Sequence, residues 1–449
     1  MEELRRELYH RPLVLAAVAL CVGLTALLHP INLIFLLPLL VARRPVPVAL
    51  AFLVGLTLAP RPVALLSEPC WINGRVTILS VPYHVEGGQA ADVQTGKLKL
   101  RALFPNDATV SRGEVWQVQG KATPLGEAAE GLALKGIEGR LKPVTMTKLE
   151  DGPWPWRLAD HWRRGFETFV QNNLPEREAR WLDAFAFRVY ALDDSEMEVL
   201  KDTGTIHLIA ASGIHVASLA MLGMALGSLF GAPRRWVLGA VFLILALYAM
   251  ATGLHLPTIR AVLAFAVGSS AYLVQREPDG LSALALAVLA YLPFDPSAVY
   301  GLGFQLSITV VGFLVMWPRR HEEPVRTTTA WFRHHGRDLV AVSLIAALAA
   351  EPILALHEGK VTLLTVPANV LAVPPAMLSI LLTFLSQGLH LGWAMPLVGG
   401  LVAVTRETIE WAGIVPGMVL HVTPFSPYWL VPFYALWIAF WRPRARPCE

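Results

Sequence analysis

Lys97-Leu98-Lys99-Leu100-Arg101-Ala102 alternates charged and apolar side chains with period two. That is the pattern of a strand with one face in a core and the other in water. The pattern recurs on either side. Gly74-Arg75-Val76-Thr77-Ile78-Leu79 and Glu114-Val115-Trp116-Gln117-Val118-Gln119 read as two further strands, and residues 132–142 supply one or two more. Gly113, Gly120, Gly126, Gly136 and Gly139 punctuate the run. Four or five short strands between Glu68 and Glu150 suit a small closed barrel such as an OB-fold.

Outside this segment the character reverses. Hydrophobic residues make up 55% of the 449, charged residues 16%, and the mean hydropathy is +0.51. An ordinary soluble domain carries about a quarter charged residues, so this chain hides from water in lipid. A span takes about 20 apolar residues, or about 17 at the short end. Before the strands, 13–28, 31–42 and 46–59 are candidates, the second short enough to be half of a hairpin. After them come 206–230, 236–251, 259–274, 281–292, 302–317, 339–356, a long run over 363–385, and 428–441. The stretch 397–415 is apolar but holds Arg406, Glu407 and Glu410, which fits an amphipathic or cavity-lining helix better than a lipid-facing span. Between the strands and the later spans, Trp162, Phe166, Phe169 and Val170 recur at helical spacing, which predicts an amphipathic helix at the membrane surface.

The expected architecture is therefore a polytopic α-helical membrane protein of about ten to twelve spans with an inserted β-barrel. Residues 1–66 hold the first spans, 67–150 an extracytoplasmic OB-fold-like domain, 151–203 an amphipathic linker, and 204–449 the main helical domain. Lys and Arg mark the inner loops of membrane proteins. Arg5, Arg6 and Arg11 place the N-terminus in the cytoplasm, and Arg43 and Arg44 the next inner loop. Arg234, Arg235, the loop with Arg319, Arg320, Arg326, Arg333 and Arg337, and the tail with Arg442, Arg444 and Arg446 are also inside. The barrel then falls outside. The net charge of +3 announces no nucleic-acid partner in bulk. Cys21, Cys70 and Cys448 form neither a disulfide framework nor a metal spacing.

Polar groups inside spans carry the functional signal, since a central charge costs roughly 2.5–3.5 kcal/mol on insertion scales. The densest cluster is His207-Leu-Ile-Ala-Ala-Ser212-Gly213-Ile-His215-Val. Four-residue spacing puts His207, Ala211 and His215 on one helix face, and Ser212-Gly213 marks a place where a helix can break to line a path. Two histidines capping carbonyls in a packed bundle is the plain alternative. Intramembrane hydrolysis at His207, Ser212 and His215 needs an orienting acid, and the nearest, Asp202, sits in a polar flank. Arg260, at the start of a span, either meets a phosphate or snorkels to the interface. Glu351-Pro352 fits a cavity wall, an ion pair or the outer surface. Gln305, Ser307 and Asn369 fit bundle contacts or a pore lining. In the strand domain, Lys97, Lys99 and Arg101 share a face, with Trp71 and Trp116 near in sequence. Single-strand binding uses that mixture, and a merely solvated face shows it too.

The segment Thr203-Gly-Thr-Ile-His207-Leu-Ile-Ala-Ala-Ser212-Gly-Ile-His215-Val resembles the signature of the bacterial competence-protein family ComEC. Three later segments resemble that family in its order: Thr252-Gly-Leu-His-Leu-Pro-Thr-Ile-Arg260-Ala, Asp295-Pro-Ser-Ala-Val-Tyr-Gly-Leu-Gly303-Phe-Gln305-Leu-Ser307, and Pro367-Ala-Asn369-Val-Leu-Ala-Val-Pro374. The resemblance implies an inner-membrane channel that passes one strand of DNA into the cytoplasm during natural transformation. The motif residues would line or brace the channel, and the outer barrel would meet the strand. It also implies a DNA receptor outside, a cytosolic motor and a separate nuclease as partners, with oligomerisation open. Many members carry a C-terminal metallo-β-lactamase-like domain. This sequence has no His-x-His-x-Asp-His cluster, so no nuclease activity, catalytic residue, metal or cofactor is expected in it. The barrel lacks the family's Asn-Pro-Gly stretch, and His255-Leu-Pro stands where small residues are commoner. A small-molecule transporter with an exterior barrel is the alternative. It would show paired broken helices in inverted repeats.

Overall fold

The computed structural model describes residues 11–33, 45–85, 87–105, 108–125, 129–187, 192–209, 213–277, 279–317, 328–423 and 425–441. Ser212, most of the expected span 31–42, and the arginines at 5, 6, 43, 44, 319, 320, 326, 442, 444 and 446 lie outside the described residues. The chain folds as two compact units. One comprises Met1–Asp193, His207–Val299 and Ala376–Ala403; the other comprises Asp194–Ile206, Tyr300–Pro375 and Val404–Glu449.

The first unit begins with α1 (Pro12–Ala26) and α2 (Pro45–Leu58). Both are apolar all round, as lipid or a packed bundle requires. They cross where Gly23 faces Gly55: a Cβ on Gly23 would overlap the carbonyl oxygen of Phe52, and one on Gly55 that of Leu20. Small residues at such a crossing let the two backbones touch.

The strands are β1 (Cys70–Ile78), β2 (Tyr83–Val85), β3 (Gly88–Thr95), β4 (Leu98–Phe104), β5 (Val115–Thr123) and β6 (Gly139–Glu150), with α3 (Ala129–Leu134) between β5 and β6. They pair in the order β1-β5-β6-β4-β3, and β3 pairs back onto β1, so five strands close a barrel; β2 extends β3 alone. Every pairing around the barrel is antiparallel except β4 with β6, where Arg101 stands opposite Arg140. The period-two reading of the sequence is what the closed sheet uses. Val76, Val93, Leu100, Phe104 and Val118 are fully buried in the core while their neighbours face outward. Each such side chain stabilises the barrel by about 1.5–3 kcal/mol. The expected strand at Lys97 begins one residue later. Lys97 sits in the two-residue turn that pairs Thr95 with Leu98.

After the barrel, α4 (Trp154–Asn173) and α5 (Glu176–Phe187) follow. The apolar face of α4 is covered by protein. Trp162 and Phe166 form an aromatic cluster with Phe187, Tyr248 and Phe384, at centroid distances of 5.0–6.2 Å. The Tyr248 hydroxyl donates to the Ala186 carbonyl at 2.5 Å. On its other side α4 is tied to the barrel: Ser111 Oγ donates to Asp160 Oδ2 at 2.7 Å, and Arg164 Nη2 donates to Ser111 Oγ at 2.9 Å. The first unit continues with α7 (Gly213–Leu229), α8 (Arg234–Ala251), α9 (Leu256–Leu273) and α10 (Gly280–Tyr291).

The second unit contains α6 (Asp194–Asp202), α11 (Leu302–Met316), α12 (Thr328–Glu358), the hairpin of β7 (Lys360–Thr362) and β8 (Val419–His421), and α15 (Leu430–Trp441). Phe313 stacks on Trp437 at 4.1 Å, and Tyr434 donates to the Ala349 carbonyl at 2.7 Å. Two helices run through both units: α13 (Thr365–Leu389), divided at Pro374-Pro375, and α14 (Met395–Ile414). On α14, Leu397, Val404, Trp411 and Ile414 are exposed, Arg406 is buried and bonded to Glu410 at 3.2 Å, and Glu407 is exposed.

Among the described residues, four helical segments are long and apolar enough to cross a membrane: Arg234–Ala251, Leu256–Leu273, Gly336–Glu358 and Thr365–Leu389. Five shorter apolar helices accompany them among the described residues. One expectation needs correction. Residues 206–230 do not form one helix. A 3-10 turn covers Ile206–Leu208, and the described part of α7 runs over Gly213–Leu229. An unbroken apolar run conceals such a break because hydropathy records burial in lipid and not backbone continuity.

Candidate functional site

The first two motif segments meet in the first unit. Gly213 opens α7, and Arg260 lies one turn into α9. A Cβ placed on Gly213 would stand 3.2 Å from Arg260 Nη2 and 3.7 Å from Ala261 Cβ. The missing side chain at 213 is what lets a guanidinium lie beside the first turn of α7. Toward its N-terminus a helix carries partial positive charge. A guanidinium and a helix N-terminus side by side make a local environment suited to an anion. His215, two residues on, is buried, and His207 is half-buried in the preceding 3-10 turn. The two histidines therefore do not share the face of one helix, as their four-residue spacing had predicted.

The barrel approaches the same helices. A Cβ on Gly253, in the turn between α8 and α9, would meet Val81 Cβ of the β1–β2 loop at 3.6 Å. A cleft beside this contact is lined by Val81, Arg112, Trp156, Asp160, Arg163 and Met250. The Arg112 guanidinium lies 4.0 Å over the Trp156 ring. Arg163 is buried and bonded to Asp160 at 2.7 Å and Glu167 at 3.3 Å. Asp183 is 3% exposed on α5, and burial, with Glu167 nearby, pushes its carboxyl up to about 8.

In the second unit the Thr203-Gly204-Thr205 turn is locked onto the start of α13. Gly204 has φ +69°, and a Cβ there would collide with the Thr365 side chain. Lys360 Nζ donates to Asp202 Oδ1 at 2.9 Å, and Thr362 Oγ1 donates to the Asp202 carbonyl at 3.0 Å. Glu351 completes the lock: its carboxylate accepts from the Thr362 N–H at 3.1 Å and from Thr365 Oγ1 at 2.7 Å. Half-buried Glu351 thus caps the entry to α13. Sequence reasoning passed over Thr203, Thr205 and Thr365, all buried. Asn369 lies one turn beyond Thr365 and is 7% exposed, its Oδ1 buried without a hydrogen-bond partner among the described residues. Gln305 Oε1 and His357 Nε2 are 2.9 Å apart, which joins α11 to α12, and Ser307 is buried. Asp295 accepts from Ser297 Oγ at 2.7 Å and so caps the short 3-10 turn Pro296–Tyr300.

Asp202, the acid that a hydrolytic site would need, is held by Lys360. Among the described residues, no group of three His, Cys, Asp or Glu could hold a metal ion. In the barrel, Lys97 and Lys99 are exposed, and Arg101 is bonded to Asp92 at 2.8 Å. Trp71 is 71% exposed and Trp116 only 9%. The Trp116 ring faces the core and its Nε1 donates to the buried Glu114 carboxylate at 2.9 Å, so it offers no surface on which a base could stack. Glu114 also accepts from the Ser111 N–H and from Lys148 Nζ.

No solved structure matches this chain. Among curated proteins it is 30% identical over 214 residues to ComE operon protein 3 of Bacillus subtilis, an alignment that takes in 47% of this chain and 26% of that protein. It is 28% identical over 218 residues to the uncharacterized protein YcaI of Escherichia coli, taking in 45% of this chain and 28% of the other. It is 35% identical over 136 residues to the competence protein ComA of Neisseria gonorrhoeae, taking in 28% and 19% respectively. The alignments thus take in about a quarter of the length of these relatives. The family model described as competence protein matches residues 189–447, a stretch that holds all four motif segments and more than half of the sequence. On that match the chain belongs to the competence protein family.

Proposed function

We propose that this chain forms the inner-membrane conduit through which single-stranded DNA enters the cytoplasm during natural transformation. The observation that carries the reading is the meeting of Arg260 with Gly213 at the N-terminus of α7. There, two separate family segments converge on an arrangement fit for phosphate. The names of the relatives, a competence protein and a ComE operon protein, support the same process. In this reading both termini are cytoplasmic and the barrel lies outside as the element that first meets the strand.

We read the barrel as an OB-fold. Numbering its five closing strands in chain order gives neighbours 1-2-3-5-4-1, with strands 3 and 5 parallel. OB-folds bind oligonucleotides across strands 2 and 3 and the loops 1-2 and 4-5. Transport here is passive on the part of this chain. A cytosolic motor supplies the work, an outer receptor delivers the duplex, and a separate nuclease removes the other strand. The chain itself performs no catalysis.

The test is uptake of labelled duplex DNA by cells that express only the Arg260→Ala variant. Outside-bound label, cytoplasmic label and transformants are scored separately. The expected result is normal outside binding and normal protein level, with cytoplasmic label and transformants lost. Normal entry would remove Arg260 from the path, and normal transformation in cells lacking the chain altogether would end the conduit reading in favour of small-molecule transport.

A further inference from the structure

The closed register of the barrel brings together outward-facing residues that no sequence window contains. Trp71 on β1 stands directly opposite Lys121 on β5, and Lys121 directly opposite Lys142 on β6. Two residues before Lys142, on the same face, is Arg140, which stands opposite Arg101 on β4. Lys99 lies two residues before Arg101 on that same outer face. Strands in a sheet are about 4.8 Å apart, so this line crosses four strands and runs roughly 14 Å. Trp71, Lys99, Lys121, Arg140 and Lys142 are all exposed. Two acids adjoin the line: Asp92 holds Arg101, and Glu138 Oε1 accepts from the Lys99 N–H at 3.4 Å. Lys121, Arg140 and Lys142 take part in no ion pair among the described residues. Three cations held side by side by β pairing repel one another, at a small but real cost that cross-strand pairing ordinarily avoids. An exposed indole at the end of such a line costs solubility. A polyanion with flat bases offsets both.

We propose that the stripe Trp71–Lys121–Lys142–Arg140 is the surface of the barrel that binds single-stranded nucleic acid. A base stacks on the Trp71 ring, and the phosphates that follow it lie over Lys121, Lys142 and Arg140. The proposal rests on the conduit reading and adds to it which face of the barrel meets the strand. It moves the contact from the β3–β4 hairpin, where Arg101 is already taken by Asp92, to the face built by β1, β5 and β6. That face flanks the β5–β6 connection, one of the two loops with which OB-folds grip oligonucleotides. The occupant is fixed by complementarity. Cations along a line suit a phosphodiester backbone, and a lone accessible indole suits an unstacked base, which a duplex does not present.

The experiment uses the full chain in nanodiscs of neutral lipid and fluorescein-labelled oligothymidine, with anisotropy titrations over a range of salt. Each cation that meets a phosphate contributes about 0.7 to the slope of log affinity against log salt for single strands. Lys121→Gln/Lys142→Gln should flatten that slope by about 1.4. Trp71→Ala should weaken binding roughly fivefold to 150-fold, the range for loss of one base–aromatic stack, with little change in slope. Arg75→Gln, on the same sheet but facing Glu150, should bind as the parent does. All these side chains are exposed, so thermal melts of the variants should match the parent. A parent that binds the strand, with unchanged affinity and slope in both variants, overturns the stripe and leaves the conduit reading to the uptake assay. Equal affinity for duplex, or displacement of the oligonucleotide by phosphatidylglycerol vesicles at matched phosphate concentration, overturns it in favour of a general anionic or membrane-facing surface.

Discussion

Replacing Asp183 by Asn should remove a pH-dependent weakness from the fold. Asp183 is 3% exposed on α5, and one of its carboxyl oxygens has no hydrogen-bond partner among the described residues. Burial and the nearby Glu167 carboxylate push its pKa from 3.8 to about 8, against the smaller opposing effects of Gln171 and Arg163. The sign follows from proton counting. Between pH 4 and pH 8 the unfolded chain has released this proton and the folded chain keeps it, so the stability of the folded state falls as pH rises. Each pH unit costs about 1.4 kcal/mol, which gives roughly 4 kcal/mol between pH 5 and pH 8. Asn keeps the shape, cannot ionise, and leaves the other titrating groups common to both proteins. The assay is thermal or denaturant unfolding of purified parent and variant in the same detergent at pH 5, 6, 7 and 8. The two should be close at pH 5, with the variant the more stable by an increasing margin toward pH 8. Parallel pH profiles, or a variant weaker at every pH, would refute the reasoning and make Asp183 an ionised, paired group.

The remaining predictions concern single contacts. Trp116→Phe leaves the Glu114 carboxylate short of one donor inside the barrel, and should cost about 1.5–3 kcal/mol in unfolding experiments while leaving oligonucleotide affinity unchanged. Gly204→Ala forces a Cβ into a left-handed conformation and onto Thr365; the backbone alone costs roughly 1–2 kcal/mol, so detergent-extracted protein should melt lower or fail to accumulate. Gly213→Leu should displace the Arg260 guanidinium and reduce DNA entry more than Gly213→Ala does, at similar membrane levels. A matching loss with both substitutions would place the fault in α7 itself.

How much of this was legible before the structure depended on the physics of each segment. The barrel was legible because one face of each strand is wet: Lys97–Ala102 and Glu114–Gln119 write their register as alternation. Lipid-facing helices carry no such code, since both sides of α1 and α2 are apolar. Their breaks were not readable, which is why the expected span over 206–230 hid the 3-10 turn at Ile206–Leu208. The basic stripe was out of reach for another reason. Trp71, Lys121 and Lys142 are neighbours only through pairings between strands far apart in sequence, and the parallel β4–β6 pairing that adds Arg101 has no local signature. Trp116 misled because an indole in a strand reads the same whether it faces water or core. The buried Glu114 two residues earlier, a carboxylate needing donors, was the clue to which way it faces.

The motif residues separate into two physical kinds, and the separation is itself testable. Glu351 with Thr362 and Thr365, and Asp202 with Lys360 and Thr362, use their polar atoms on one another, and Gly204 packs against Thr365. A half-buried carboxylate in α12 just before Pro352 would be costly if unpaired, and the donors of Thr362 and Thr365 offset that cost. Removing Glu351 leaves the Thr362 N–H without this acceptor, at about 1–3 kcal/mol, while Thr365 Oγ1 keeps the Thr362 carbonyl at 3.1 Å. Such residues hold the fold, and their loss should appear as less folded protein, with each surviving molecule working normally. Arg260 at Gly213 is of the other kind. Its guanidinium lies beside Gly213 in the first described turn of α7, where positive charge favours a visiting anion. Uptake measured per folded molecule should therefore fall for Arg260→Ala and stay level for Glu351→Gln. If Glu351→Gln lowered uptake at full protein level, the acid would belong to the path, and the division drawn from hydrogen bonding would be wrong.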